Sequence, residues 1–267
     1  MANKTTINPL DGLEISSARP DIFNSAKKVT FNTPSANDYM TNEAYKTLRT
    51  NLLFCGNHIK TILVTSCEEN EGKSTVSTEL TKSLAESGKR TLLIDADLRK
   101  SVMLRSSNRT SDIEGLSEAL SGICEPEDVI YKTQHPNFDV IFSGHFPPNP
   151  VELLGNNRLQ EMLDHFKKTY DYIIIDSPPL NLVIDAAVIA ACCDGAMLII
   201  NDGRISRSTA INVKQQLEKS NCQLLGVVLN NTEKKTSYLY NRYYKRSSYY
   251  RGYSYGYGHT YGYEKKK

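Results

Sequence analysis

Three short segments of this 267-residue sequence carry residue types suited to holding phosphate and metal. The first is Ser66-Cys67-Glu68-Glu69-Asn70-Glu71-Gly72-Lys73-Ser74-Thr75, which follows a β-branched run and precedes a helical stretch. It fits the phosphate-loop pattern GxxxxGK[ST] at Gly72, Lys73 and Ser74, with Cys67 in place of the first Gly. Backbone N–H groups at a helix start, reinforced by the helix dipole, suit anions. Lys73 can span the β- and γ-phosphates, Ser74 can bind Mg²⁺, and Gly72 lets the backbone approach. Glu69, Asn70, Glu71 and Thr75 complete the expected ATP-binding loop. The second and third segments are Leu92-Leu93-Ile94-Asp95-Ala96-Asp97-Leu98-Arg99 and Tyr172-Ile173-Ile174-Ile175-Asp176-Ser177-Pro178-Pro179, apolar runs ending in acids. Carboxylates beside a phosphate loop hold Mg²⁺ directly or through water. Each acid alone also fits a helix cap or turn. Three such segments in one chain point to binding of Mg·ATP or Mg·GTP.

The elements that must position these residues alternate along the chain. Apolar strands are predicted at 60–65, 90–94, 139–142, 172–175, 195–200 and 224–229, with helices at 43–54, 73–87, 159–169 and 208–219. Short, fully apolar strands alternating with helices predict an α/β fold, a P-loop NTPase whose mostly parallel sheet is covered by helices on both faces. In a parallel sheet the acidic strand ends share one edge with the phosphate loop, where ligands of such folds sit.

Both ends of the chain lack this pattern. Residues 1–40 are polar, with scattered Pro, Asn and Ser, and read as a flexible arm ahead of a domain over 41–231. Residues 232–267 carry nine Lys or Arg against Glu233 and Glu264, a net of +7 within a whole-chain charge of +2. They hold eleven of the sixteen tyrosines: Tyr238, Tyr240, Tyr243, Tyr244, Tyr249, Tyr250, Tyr253, Tyr255, Tyr257, Tyr261 and Tyr263. With no aliphatic residue after Leu239 this segment cannot build a core, so disorder is expected. It reads as a phosphorylation substrate, a nucleic-acid-binding stretch of Arg and Tyr, or a low-complexity segment without a defined partner. The six cysteines form no CxxC pair, which favours thiols in a reducing cytoplasm. The N-terminus lacks the apolar stretch of a signal peptide. The most apolar window, Ala186 to Ile200, is too short for a membrane span.

Residues 43–231 resemble the bacterial tyrosine kinases of capsule and exopolysaccharide synthesis, of the CpsD/CapB type. The resemblance rests on the Walker A segment at 66–75, the DADLR segment at 95–99 (Walker A′ in that family), the IIIDSPP Walker B segment at 173–179 and the tyrosine cluster. GVVLNN at 226–231 resembles the last core strand, which implies that Asn230 lies near the nucleotide base. The resemblance implies an ATP-dependent protein-tyrosine kinase that phosphorylates its own C-terminal tyrosines, with no nucleic acid bound. It implies that Ser74, Asp95 and Asp176 position Mg²⁺, and that Asp95 or Asp97 orients or deprotonates the acceptor hydroxyl. Glu43, Lys46 and Arg49 are similar to the ExxRxxR segment implicated in self-association, with Lys at the middle position. The implied partners are a membrane adaptor that recruits a cytoplasmic chain to the membrane face, a cognate tyrosine phosphatase, polysaccharide-synthesis proteins and further copies of the chain. A ParA/MinD-type ATPase switch shares the fold but usually carries an early second lysine in its phosphate loop, absent from Cys67-Glu68-Glu69. A scaffold that has lost catalysis is the other alternative.

Overall fold

The computed structural model describes residues 27–30, 39–108 and 113–232. The tyrosine segment from 233 onward and most of the expected N-terminal arm lie outside them. Eight strands form one sheet in the order β1-β4-β5-β3-β6-β2-β7-β8. They are β1 (Lys27–Lys28), β2 (Thr61–Ser66), β3 (Thr91–Asp95), β4 (Tyr131–Lys132), β5 (Phe138–Ile141), β6 (Tyr172–Asp176), β7 (Gly195–Asn201) and β8 (Gln223–Asn230). Every pairing is parallel except β4 with β5. The helices are α1 (Tyr39–Leu53), α2 (Lys73–Glu86), α3 (Leu116–Ser121), α4 (Pro150–Leu154), α5 (Asn157–Phe166), α6 (Asp185–Ala190) and α7 (Arg207–Lys219).

Because side chains alternate across a strand, the central strands feed two cores. Leu63, Leu92, Ile94, Ile173 and Ile175 face one side, with residues of α3 to α7. Ile62, Val64, Leu93 and Ile174 face the other, with Val76, Leu80 and Leu84 of α2 and Leu52 of α1. Burial on both faces explains why these strands are apolar at every position rather than at alternate ones. The predicted strands and the four predicted helices all form, with ends shifted by a few residues.

Within the expected 1–40 arm, Lys27–Lys28 pairs with β4, Val29 is buried, and α1 begins at Tyr39. Two-residue strands have no period to read, which is why β1 and β4 left no trace in the sequence. The short helices α3, α4 and α6 were not predicted either.

The sheet order sets the position of the site. From β2 the chain crosses to β3 and β5 on one side, then returns through β6 and passes to β7 and β8 on the other. A crevice opens at such a switch point, outside the carboxyl ends of the strands. The phosphate loop follows β2 there, between the neighbours β6 and β7.

Candidate active site

The loop from Cys67 to Gly72 joins β2 to α2. Asn70 (φ 60°) and Gly72 (φ 88°) both adopt the left-handed conformation, which glycine tolerates freely and asparagine better than most residues. The Val76 N–H donates to the Gly72 carbonyl at 2.9 Å and closes the first turn of α2. The N–H groups ahead of it have no intrahelical acceptor. A Cβ on Gly72 would stand 2.1 Å from Asn230 Nδ2. That amide nitrogen donates to the Glu71 carbonyl at 2.9 Å. Asn230 therefore braces the phosphate loop from the end of β8.

Glu71 is 2% exposed and its carboxylate faces inward. Its two oxygens accept from the Asn201 N–H at 2.8 Å and the Glu68 N–H at 2.7 Å. What this residue offers a ligand is its backbone. Cys67, where a glycine is usual, is fully buried, and burial pushes its thiol up to about 12. Glu69 is exposed and pairs with Lys100 at 2.8 Å, which ties the loop to the segment after β3. Lys73 is 9% exposed, and its ammonium has no ion-pair or hydrogen-bond partner among the described residues. Ser74 is half-buried and Thr75 exposed on the first turn.

The acids meet this loop from two strands. Asp95 and Asp176 are directly paired in the register of β3 and β6, and Val64 of β2 is level with Asp176. They are 1% and 2% exposed. Ser101 Oγ donates to Asp95 Oδ2, and the Asp97 N–H reaches Asp95 Oδ1 at 3.2 Å. Ser77 Oγ donates to Asp176 Oδ1 at 3.1 Å. Burial, then the neighbouring Asp176, push the Asp95 carboxyl well above its ordinary range. Burial also raises Asp176, to about 6, against the pull of hydrogen bonds from Ser74 and Ser77 and of the Lys73 charge. Two adjoining buried carboxylates without a basic ion-pair partner suit a hard divalent cation, whose charge reverses such shifts. The oxygen donor set fits Mg²⁺.

Asp97 is only half-buried. Its Oδ1 accepts from the N–H groups of Arg99 and Lys100, at 3.2 and 2.9 Å. Its Oδ2 has no partner among the described residues. Arg99 forks onto the fully buried Asp185 at the start of α6, at 2.8 and 3.1 Å. This bidentate pair fixes the turn that presents Asp97.

Sequence reasoning thus missed Ser77, Ser101, Asn201 and the Arg99–Asp185 pair. Ser77 was readable, since Ser74 and Ser77 share a helix face at i, i+3. The other contacts depend on tertiary placement. The expected self-association residues are engaged within one chain. Glu43 pairs with Lys46 at 2.8 Å on α1, and Arg49 Nη1 donates to the Ser83 carbonyl of α2 at 2.6 Å.

The AAA domain family matches residues 59–202. The tyrosine-protein kinase CpsD of Streptococcus agalactiae is 44% identical over 208 residues, covering 77% of this chain and 91% of that protein. The kinase domain of the Escherichia coli tyrosine kinase ETK superposes with a TM-score of 0.69 at 33% identity, covering 81% of this chain and 80% of that one. The septum site-determining protein MinD of Pyrococcus horikoshii, solved with Mg-ADP, matches with a TM-score of 0.55 at 26% identity, covering 66% of this chain and 72% of that one. The two kinases are matched over more of this chain than MinD and at higher identity. Among the described residues, no helix is long and apolar enough to cross a membrane. With a lysine-bearing phosphate loop and two strand-end aspartates on one sheet edge, and with this likeness, the chain belongs to the CpsD-type bacterial tyrosine-protein kinases, on the nucleotide-binding fold that MinD also has.

Proposed function

We propose that the chain transfers the γ-phosphoryl group of Mg·ATP to the tyrosines at 238–263, and that this modification regulates capsule or exopolysaccharide synthesis or export. The observation that carries the reading is the convergence of Lys73, Asp95 and Asp176 on one edge of the sheet. The site residues divide the work as follows. The N–H groups of Gly72, Lys73, Ser74 and Thr75, at the positive end of α2, hold the phosphate oxygens. The Lys73 ammonium neutralises charge that builds on the transferring group. Ser74, Asp95 and Asp176 would hold Mg²⁺, which when bound adds further charge neutralisation at the phosphates.

The acceptor hydroxyl needs an orienting group, because a free tyrosine ionises only near pH 10. Of the two acids considered for this, Asp97 is favoured by its free Oδ2, whereas Asp95 is buried and already engaged. Positioning and charge neutralisation dominate phosphoryl transfer, so Lys73 and the metal ligands should matter more than Asp97.

The segment from 233 onward starts just past Asn230, which itself touches the phosphate loop. This root supports delivery of tail tyrosines to the ligand edge of the sheet. We expect transfer between copies of the chain, which associate with one another. A membrane adaptor holds them at the membrane face, and a tyrosine phosphatase reverses the modification. Each phosphotyrosine adds about −1.5 to −2 charges, so roughly four would cancel the +7 of residues 232–267.

The test is incubation with Mg·ATP and phosphotyrosine mapping. Phosphate should appear at 238–263 and, in a mixture of full-length Lys73→Ala chain with tail-deleted chain, on the full-length partner. ATP hydrolysis with no tyrosine phosphate would favour the MinD-type switch. An unmodified full-length partner would rule out transfer between copies.

A further inference from the structure

The segment between β5 and α4 is rigid at its root and apolar at its tip. Phe142 and Ser143 leave the end of β5 and are buried. Their carbonyls accept from the Leu116 and Ser117 N–H groups at the start of α3, at 2.8 and 3.0 Å. Gly144 (φ 78°) turns the chain outward, and a Cβ there would stand 2.1 Å from Glu118 Oε2. Glu118 clamps the turn. Its carboxylate accepts from the His145 N–H at 3.2 Å, His145 Nδ1 at 2.9 Å and the Gly115 N–H at 2.7 Å. Beyond the clamp, Phe146 is 65% exposed and is followed by Pro147 and Pro148, before Pro150 is buried again at the start of α4.

The segment leaves the sheet at its ligand edge. β5 pairs in parallel with β3, and Ile141 is level with Ile94. Phe142 therefore leaves β5 beside the end of β3 that carries Asp95, the last paired residues standing about one strand spacing, roughly 4.8 Å, apart. Burial alone would raise the Glu118 carboxyl, but its hydrogen bonds from Gly115 and His145 more than offset that and hold it below the ordinary range, so the clamp keeps the turn fixed while Phe146 stays in water. What reaches this edge during transfer is the acceptor. After Leu239 the tail has no aliphatic side chain, so its apolar contacts are made by tyrosine rings alone. Rings stack on aromatic and proline faces.

We propose that Phe146, with Pro147 and Pro148, is the docking platform for the tyrosine segment (residues 238–263) of a second copy of this chain, placing one ring there while another hydroxyl meets the phosphoryl group beside Asp97. The inference rests on the tail being the acceptor. It makes Phe146 a positioning residue for acceptor, not for nucleotide.

Two readouts test it. In the first, full-length Lys73→Ala chain is the acceptor for wild-type or Phe146→Ala kinase. The acceptor concentration at half-maximal rate should rise about tenfold in Phe146→Ala, as for loss of an aromatic anchor, with the KM for ATP unmoved and recovery in Phe146→Trp. In the second, Lys73→Ala chain carrying Tyr255→p-benzoylphenylalanine is photo-crosslinked to wild-type chain in Mg·ADP. Cross-links should map to 143–149 and fall at least about fivefold with Phe146→Ala. Cross-links concentrated at 181–184, or indifferent to Phe146→Ala, would overturn the platform. If cross-links map to 143–149 but the tail never receives phosphate, the docking surface stands and the acceptor reading falls.

Discussion

Replacing Lys73 with alanine should lower the rate of tyrosine phosphorylation by about a thousandfold or more, while the fold keeps its stability. Single preorganised donors at a developing anion are worth about 10²–10³ in rate, and cationic ones aimed at a transferring phosphoryl group reach 10³–10⁵. In the proposed transfer Lys73 would combine both roles at the start of α2. Stability should change little, because the buried ammonium has no hydrogen bond or ion pair among the described residues, a cost, while its charge offsets the buried Asp176 carboxylate, a gain. The thermal midpoint of Lys73→Ala without nucleotide should therefore stay close to that of wild type. Saturating Mg·ATP should raise the midpoint of wild type much more than that of the variant. A variant that retains more than a tenth of the wild-type rate would remove the lysine from the chemistry.

The second large effect is expected at Gly72. Alanine there meets two penalties. The left-handed φ of 88° costs a residue with a side chain about 1–2 kcal/mol. The new Cβ, 2.1 Å from Asn230 Nδ2, also expels that amide from the Glu71 carbonyl, a further cost of about 0.5–1.5 kcal/mol. Together about 1.5–3.5 kcal/mol must be met by distorting the phosphate loop. ATP affinity should then fall about 10- to 400-fold. Asn230→Ala alone loses one brace and should weaken binding only a few-fold. Added to Gly72→Ala it should recover part of the loss, because the collision is gone. This non-additivity separates a steric brace from two independent contributions, and calorimetric titration of all three variants with ATP measures it. Strictly additive losses would show that Asn230 and Gly72 do not act on one another.

How much of this could be read from the sequence depends on how local each determinant is. β2, β3 and β6 were legible because burial on both faces makes every position of Ile62–Val64, Leu92–Ile94 and Ile173–Ile175 apolar. The parallel arrangement followed from the intervening helices, and with it the meeting of Asp95 and Asp176. α3, α4 and α6 span six, five and six residues, too few for a helical period to repeat convincingly. The finer chemistry was hidden because its partners are remote. Asn230 and Glu71 are 159 positions apart, Asn201 and Glu71 are 130 apart, and Arg99 and Asp185 are 86 apart. Glu71 illustrates the limit. Its place in the loop pattern was clear, but the inward turn of its carboxylate follows from the end of β7, which supplies the Asn201 N–H.

The Arg99–Asp185 pair also explains how a half-exposed turn stays in place. Arg99 reaches from solvent, with its side chain 36% exposed, while Asp185 is fully buried. A buried carboxylate without its cation is strongly destabilising, so the arginine fixes the Asp97 turn against α6. The Glu69–Lys100 pair lies nearby with both partners exposed, and solvent-screened pairs of that kind contribute little.

If Asp95 and Asp176 hold the metal that accompanies the nucleotide, calorimetric titration of ATP with Mg²⁺ and with EDTA will show it. Wild type should bind ATP much more tightly with Mg²⁺. In Asp95→Asn and in Asp176→Asn that advantage should collapse towards none, while binding in EDTA stays level or improves, because a negative charge facing the phosphates has been removed. Undiminished tightening by Mg²⁺ in both variants would remove the two aspartates from the metal site.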